Sequence, residues 1–448
     1  MQTLNLTTHW TGIVALVTFG VAYLVAISEE RLQVRKSVPL LVAAGLIWML
    51  VGVGGVQSGA GATAAAAAED TLLDYAELLL FLIPAMTYVN TLDDRGLFDA
   101  LRIWLIQRGL SFRALFWATG GLAFMMSPVT DNLTTGLLLG TVVLAVGREN
   151  PRFVGLGCIN VVVAANAGGT FSPFGDITTL MVWQAGKVDF REFFALVLPA
   201  LVNWLVPAVI MSLAIRDDRP SPPHHKPVLA SGAFPVLGLL LVTIVLTVLA
   251  HGVLDLPPAL GMMAGLGLLK AFSYLNNLRV ETPEALEVAA TDAESPGLFQ
   301  ARPLDVFDLL ARIEWDTLMF FYGVLLCVGG LGAFGYLAAA SRLLYGQMDP
   351  TVANILVGLV SAVIDNVPVM FAVLRMSPSM SDGQWLLVTL TTGVGGSLLS
   401  IGSAAGIALM GQARGLYTFG AHLRWAWAIA LGFAASIGVH LVVNGRLF

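Results

Sequence analysis

Three aspartates, Asp131, Asp176 and Asp365, stand inside long apolar stretches, and no Lys or Arg lies between residues 114 and 147, 153 and 186, or 376 and 413. A carboxylate at mid-bilayer costs ~2.5–3.5 kcal/mol on insertion scales, so three of them need a purpose. With no fixed base beside them they must take a mobile positive charge, either a proton or a metal cation. The side chains nearby are nearly all oxygen donors. Asn132, Thr134, Asn166, Thr170, Ser172, Thr178 and Thr179 accompany the first two acids, and Ser361, Asn366, Ser397, Ser400 and Ser403 the third. Oxygen without thiolate or imidazole suits a hard cation and no transition metal. The plainer role open to the aspartates is helix capping.

These residues recur as a pattern. Ser127-Pro-Val-Thr-Asp131-Asn132 matches Ser361-Ala-Val-Ile-Asp365-Asn366. Downstream, Gly168-Gly169-Thr170 and Gly175-Asp176 match Gly395-Gly396-Ser397 and Gly402-Ser403. Each string alone is weak, but the shared order is an internal repeat. Pro128 and Pro368 remove amide donors near two expected chain reversals. Gly168, Gly169, Gly395 and Gly396 are expected to let two spans unwind, to let the hairpins approach closely, and to release carbonyls that add to an oxygen cage.

The elements that must hold these residues are membrane spans. Of the 448 residues 57% are hydrophobic and 12% charged, half the charge of a soluble domain, so lipid is the main solvent. Full-length apolar segments fall at about 11–28, 38–54, 73–91, 193–213, 233–250, 259–276, 315–335 and 425–445. Two segments, 154–186 and 384–413, are interrupted by glycines. Two more, 113–147 and 350–380, are broken in the middle and are expected to be re-entrant hairpins. Starting outside, this layout places 18 Lys and Arg inside and 5 outside, as the positive-inside rule requires. Each half has five spans, an odd number, so the second copy is inserted upside down. The expected fold is an all-α polytopic membrane protein with two inverted repeats, 1–213 and 231–448. A cytoplasmic Pro-rich linker, 214–230, joins them, and both termini lie outside. Residues 93–110 are expected to form an interfacial amphipathic helix, 55–72 an outer loop and 277–303 a polar cytoplasmic loop.

Residues 1–10 carry no Lys or Arg, and no cleavage site follows the first apolar run, so the first span is expected to be retained. Cys158 and Cys327 are far apart and apolar in context, which signals neither a disulfide nor a metal centre. No nucleic acid is suggested and no cofactor is expected. The six histidines fall at span ends or in loops, where solvent is expected to reach them.

Cation and proton competing for the same carboxylates is an antiport mechanism in outline, with Na+ (or Li+) and H+ binding in turn and each carrying the site across. The first half holds two acids where the second has Asp365 and Ser403, so the first is expected to dominate. Glu77 and Asp74 lie near the outer end of the third span and suit either a cation-attracting entrance or a supporting place behind the ligands. A sodium-coupled di- or tricarboxylate symporter on the same scaffold is the main rival, weakened by the missing base, and an arsenite-extrusion permease a lesser one. A membrane-embedded enzyme would need a catalytic set, and HExxH, GxSxG and metal-spaced Cys/His clusters are all missing.

The stretches SPVTDNLTT, NAGGTFSPFGDITTLMVWQ, SAVIDNVPVM and GGSLLSIGSAAGIALMG resemble NhaD-type sodium/proton antiporters of the ion transporter superfamily, over essentially the whole of 11–445. The resemblance implies a Na+(Li+)/H+ exchanger of the bacterial inner membrane, active at alkaline pH. It implies roles for Glu77, Asp131, Thr134, Asn166, Asp176, Thr178, Thr179, Ser361, Asn366, Ser400 and Ser403. It also implies that hairpins and broken spans form a transport domain sliding as an elevator against a scaffold, which is usually dimeric.

Overall fold

Residues 4–147, 150–219, 229–230, 232–280, 299–300 and 303–448 are described by a computed structural model of the chain. Among them nine helices are long and apolar enough to cross a membrane. Their outer faces carry large apolar side chains with no protein cover. Leu16, Val17, Val21 and Leu24 on Trp10–Ile27 and Val242, Val245, Leu249 and Val253 on Ala233–Leu254 are exposed. Water would drive such helices together, whereas hydrocarbon solvates them and leaves their backbone bonds intact. The chain is an integral, polytopic membrane protein.

The expected spans coincide with helices to within a few residues, with one exception. The third runs Gly61–Asp94, 34 residues, so only Ser58–Ala60 remain of the outer loop expected at 55–72. The added turns contain a run of alanines at 64–68. Alanine is too weakly apolar to read as lipid-facing yet is the strongest helix former. At 1.5 Å per residue the helix is about 50 Å long and overreaches the hydrocarbon core. The interfacial helix is Leu97–Gln107, with Phe98 and Leu105 turned inward. An unexpected helix, Tyr336–Leu344, follows Gly335, whose φ of +102° turns the chain after Phe334. One short parallel pairing, Leu229–Ala230 with Phe299–Gln300, interrupts the all-helical pattern. Most of the linker expected at 214–230 and of the loop expected at 277–303 lies outside the described residues.

Each expected hairpin is two helices with a break. Phe112–Thr130 and Asn132–Val146 are separated by Asp131 alone, and Pro350–Val360 and Asn366–Met376 by residues 361–365. The interrupted spans are Pro151–Gly169 with Ile177–Gln184, and Asp382–Gly395 with Ala404–Ala413. Side chains of Ser111, Asn150, Asp349 and Ser381 cap four of these helices. At the exposed Asp349, the hydroxyl and amide of Thr351 hold the carboxyl below its usual range.

Packing divides the helices into two groups. Trp10–Ile27, Ser37–Gln57, Gly61–Asp94, Ala233–Leu254, Pro258–Val280 and Trp315–Phe334 pack mainly on one another. The hairpins and interrupted spans pack together with Val197–Ser212 and Ala426–Val443. The two most buried long helices, Pro151–Gly169 and Trp315–Phe334, lie one in each group.

Candidate functional site

The breaks meet at the centre of the second group because glycine lets backbone touch backbone there. A Cβ on Gly168 would come 2.3 Å from the carbonyl oxygen of Phe124, and one on Gly395 2.2 Å from that of Gly358. Both glycines are still helical, so of the two services expected of them, unwinding and close approach, the close approach is the one seen at these positions. The chain unwinds just after, over 170–176 and 396–403. Pro128 lies within the helix that ends at Thr130, and Pro368 in the first turn of Asn366–Met376, where no intrahelical amide bond is lost. Matching hydroxyls pin the hairpins to the spans. Ser127 donates to the Ala165 carbonyl at 2.6 Å and Ser361 to that of Thr392 at 2.8 Å.

Asp176 is the hub. It caps Ile177–Gln184 by accepting from the Thr178 amide and hydroxyl, both at 2.9 Å. Asn132 and Asn366, the matching residues of the two hairpins, aim their side-chain amides at the same carboxylate, at 3.4 and 3.3 Å. Asn132 also donates to Asn166 at 3.1 Å, Asn166 donates to the Ser397 hydroxyl at 2.8 Å, and the Ser403 hydroxyl donates to Asn166 at 3.1 Å. Asp131 takes a φ of +59° with extended ψ, a region that costs a non-glycine residue about 1–3 kcal/mol. It is held there by accepting from the Thr134 amide and hydroxyl, each at 2.8 Å. Asp365 donates its backbone amide to the Tyr23 hydroxyl at 3.1 Å. Thr170 and Thr179 bond within the first break, the Thr179 hydroxyl donating to the Thr170 carbonyl at 3.3 Å. Ser172 donates to the Pro128 carbonyl at 2.7 Å. Among the described residues, the hydroxyl of buried Ser400 has no hydrogen-bond partner.

Asp131, Asp176 and Asp365 line one cavity of about 60 Å³, together with Asn132, Asn366 and Thr317, and its lining contains no Lys, Arg or His. Among the described residues none of the three carboxylates is in an ion pair. Two larger pockets flank the cavity. One of about 420 Å³ reaches Asp131 and Thr134 and is lined by Asp93, Asp99, Arg102 and Glu314. The other, about 310 Å³, reaches Asp365 past Tyr23, Glu29, Lys36 and Tyr417. The aspartates that cap are also the ones left without a countercharge, so capping and cation binding are compatible.

Glu77 and Asp74 stand apart. They line a separate pocket of about 180 Å³ with Gln184 and Arg375, and Asp74 pairs with Arg375 at 2.5 Å. Arg375 also donates to the Thr71 hydroxyl at 3.2 Å, which ties the second hairpin to the third span. Two of the histidines expected in solvent, His422 and His440, are fully buried, because the short helix Phe419–Leu423 and the end of Ala426–Val443 fold against the second interrupted span. His224 and His225 lie outside the described residues. Sequence reasoning missed Thr317, Tyr23 and Lys36. Lys36 reads as one of many basic residues at a span end, and only the folded chain brings it to the pocket of Asp365.

Comparison with known proteins sets this geometry beside others. A family model described as "Citrate transporter" matches residues 22–393. The Na(+)/H(+) antiporter NhaD of Halomonas elongata is 55% identical over 99% of this chain and 91% of its own length. The proteins of the same name from Alkalimonas amylolytica and Vibrio cholerae are 54% and 53% identical, over 99% and 100% of this chain and 93% and 95% of their own.

Proposed function

We infer that this chain, which belongs to the NhaD family of Na+/H+ antiporters, exchanges Na+ for H+ across the membrane it spans by letting the two ions compete for the carboxylates around Asp176. One observation carries the mechanism: three carboxylates share a cavity whose lining offers no base. Each is tolerated at that depth when neutralised, and a proton or a small cation does so. Protonation makes Asp131 and Asp176 neutral acids held by Thr134 and Thr178. Na+ displaces the protons and is held by the carboxylates, by the hydroxyls of Ser400 and Ser403, and by Asn132 and Asn366. A half-turn of either amide replaces N–H with oxygen at the same place. Li+ fits the same donors. A site carrying neither ion holds bare charge, which disfavours its passage and couples the two fluxes.

A carboxylate-bearing substrate meets repulsion at all three acids. The rival symport is therefore not favoured.

The same reading extends to architecture. Equivalent contacts at Ser127 and Ser361 and at Gly168 and Gly395 support two repeats, and the odd span count and the Lys/Arg asymmetry support opposite insertion with both termini outside. The division of packing supports an elevator. The hairpins, interrupted spans, Val197–Ser212 and Ala426–Val443 make up its moving part, and the remaining spans its scaffold. A homodimeric scaffold in the bacterial inner membrane completes the proposal.

The test is a proteoliposome assay with an imposed pH gradient and a pH-sensitive dye, challenged in turn with Na+, Li+, K+ and succinate. Na+ and Li+ are expected to collapse the gradient while succinate has no effect. Succinate uptake driven by Na+ would hand the function to the symporter.

A further inference from the structure

One hydrogen bond at which the two halves differ is replaced from outside the repeat. In the first half the break frees the Thr170 carbonyl, and Thr179, nine residues on, donates its hydroxyl to it at 3.3 Å. The spacing that pairs Gly168 with Gly395 and Asp176 with Ser403 pairs Thr170 with Ser397 and Thr179 with Gly406. Glycine has no hydroxyl to offer. It cannot easily gain a side chain either, since a Cβ on Gly406 would come 2.3 Å from the Ser400 carbonyl oxygen. The Ser397 carbonyl is instead met at 2.9 Å by Nε2 of His422, on the short helix Phe419–Leu423.

The chemistry settles the tautomer. A carbonyl oxygen only accepts, so Nε2 carries the proton, and the neutral ring then takes the Tyr417 hydroxyl at Nδ1, 2.8 Å away. His422 and Ser397 are fully buried and Tyr417 nearly so. Ser397 is joined to the centre of the site, because its hydroxyl accepts from Asn166, which in turn accepts from Asn132 and Ser403.

We propose that His422 is a positioning residue of the ion site, a donor supplied from outside the second interrupted span that fixes the Ser397 carbonyl and, through Asn166, the side chains that take up Na+. The proposal rests on the reading of the Asp176 cluster as that site. A second buried histidine supplies the control. His440 also meets a carbonyl of the same interrupted span, Gly383 at 3.0 Å, but at the start of its helix Asp382–Gly395, well away from the break.

The experiment measures Na+-evoked proton flux against Na+ concentration in proteoliposomes for the wild type, His422→Ala, His422→Gln, Tyr417→Phe and His440→Ala. His422→Ala is expected to raise KM for Na+ by about tenfold, the loss of one buried hydrogen bond of ~1.4 kcal/mol, with a smaller change in maximal rate. His422→Gln, whose terminal amide can donate to the same carbonyl, restores most of the affinity. Tyr417→Phe frees the ring and raises KM by less than the alanine variant, and it carries the test should His422→Ala fail to reach the membrane. His440→Ala keeps the wild-type KM. A His422→Ala protein with wild-type KM, or an equal rise in His440→Ala, overturns this proposal and leaves the antiport reading standing. A wild type that moves no protons with Na+ overturns both.

Discussion

Asparagine in place of Asp176 is expected to abolish Na+-evoked proton movement while the protein still folds and inserts. The substitution isolates charge from architecture. Asparagine keeps an oxygen for the Thr178 amide and hydroxyl, which now hold the carboxylate at 2.9 Å, and it ranks with aspartate as a helix cap. It cannot take up a proton, and it offers a cation a dipole where there was a full charge. Losing one charged ligand costs about 3 kcal/mol, roughly a hundredfold in affinity. Proton uptake at this position is lost as well, since the amide does not titrate, and exchange that needs both ions at Asp176 stops with it. Asp131→Asn should behave alike, because the asparagine oxygen can keep the bond from the Thr134 amide while its NH2 donates to the Thr134 hydroxyl, which now donates to the carboxylate. Asp365→Asn is expected to lose less, because Asp365 accepts no bond from the amides that converge on Asp176, and Lys36 shares its outer pocket. The check is dye-monitored flux beside a gel-filtration profile of each variant. Robust Na+/H+ exchange by Asp176→Asn would remove that residue from the ion path.

Alanine at Gly168 or Gly395 should be nearly as damaging, against the local preference of the chain. Both positions are helical, where alanine is ordinarily better than glycine by ~1 kcal/mol. The new methyl groups would meet carbonyl oxygens of Phe124 and Gly358 at 2.3 and 2.2 Å. Backbone atoms cannot swing aside, so the hairpin must lift off the span that carries the ligands. Overpacking of this kind costs about 1–3 kcal/mol, and the displacement falls on Ser127, Asn166 and Thr170, or on Ser361 and Ser397. Flux is expected to drop at least about tenfold, by the same arithmetic. Gly238→Ala, where nothing lies within 4 Å, should leave flux unchanged and slightly stabilise its helix. Normal transport by both tight-glycine variants would mean that the hairpins are not seated on the breaks as described.

Much of the fold was legible because lipid is a demanding solvent. It requires long apolar helices with every backbone bond satisfied, and Trp10–Ile27, Ala233–Leu254 and Trp315–Phe334 announce themselves by hydropathy alone. Gly61–Asp94 was underestimated for the same reason, since its alanines build helix without registering as apolar. The candidate site was legible as far as the repeat reached: the S-x-V-x-D-N frames and glycine pairs brought the three aspartates and the three asparagines to the right neighbourhood. Contacts that depend on which helix packs where were not legible. Asp74 finds Arg375 across 301 positions of sequence, and His422 turns inward because Phe419–Leu423 folds against the second break. Neither has a local signal. The glycines read as places of both unwinding and close approach, and Gly168 and Gly395 make the close approach while the chain unwinds just after them, because a small residue reads alike in either service.

The central claim is that Na+ and protons exclude one another at the carboxylates lining the cavity of Asp131, Asp176 and Asp365. Its most direct test is the equilibrium affinity of the purified, detergent-solubilised protein for Na+, measured by titration calorimetry over a series of pH values. The account predicts that Kd rises as pH falls, approaching about tenfold per pH unit for each proton displaced, with protons released to the buffer on binding. A Kd that stays flat across that series, with no proton released, would contradict it.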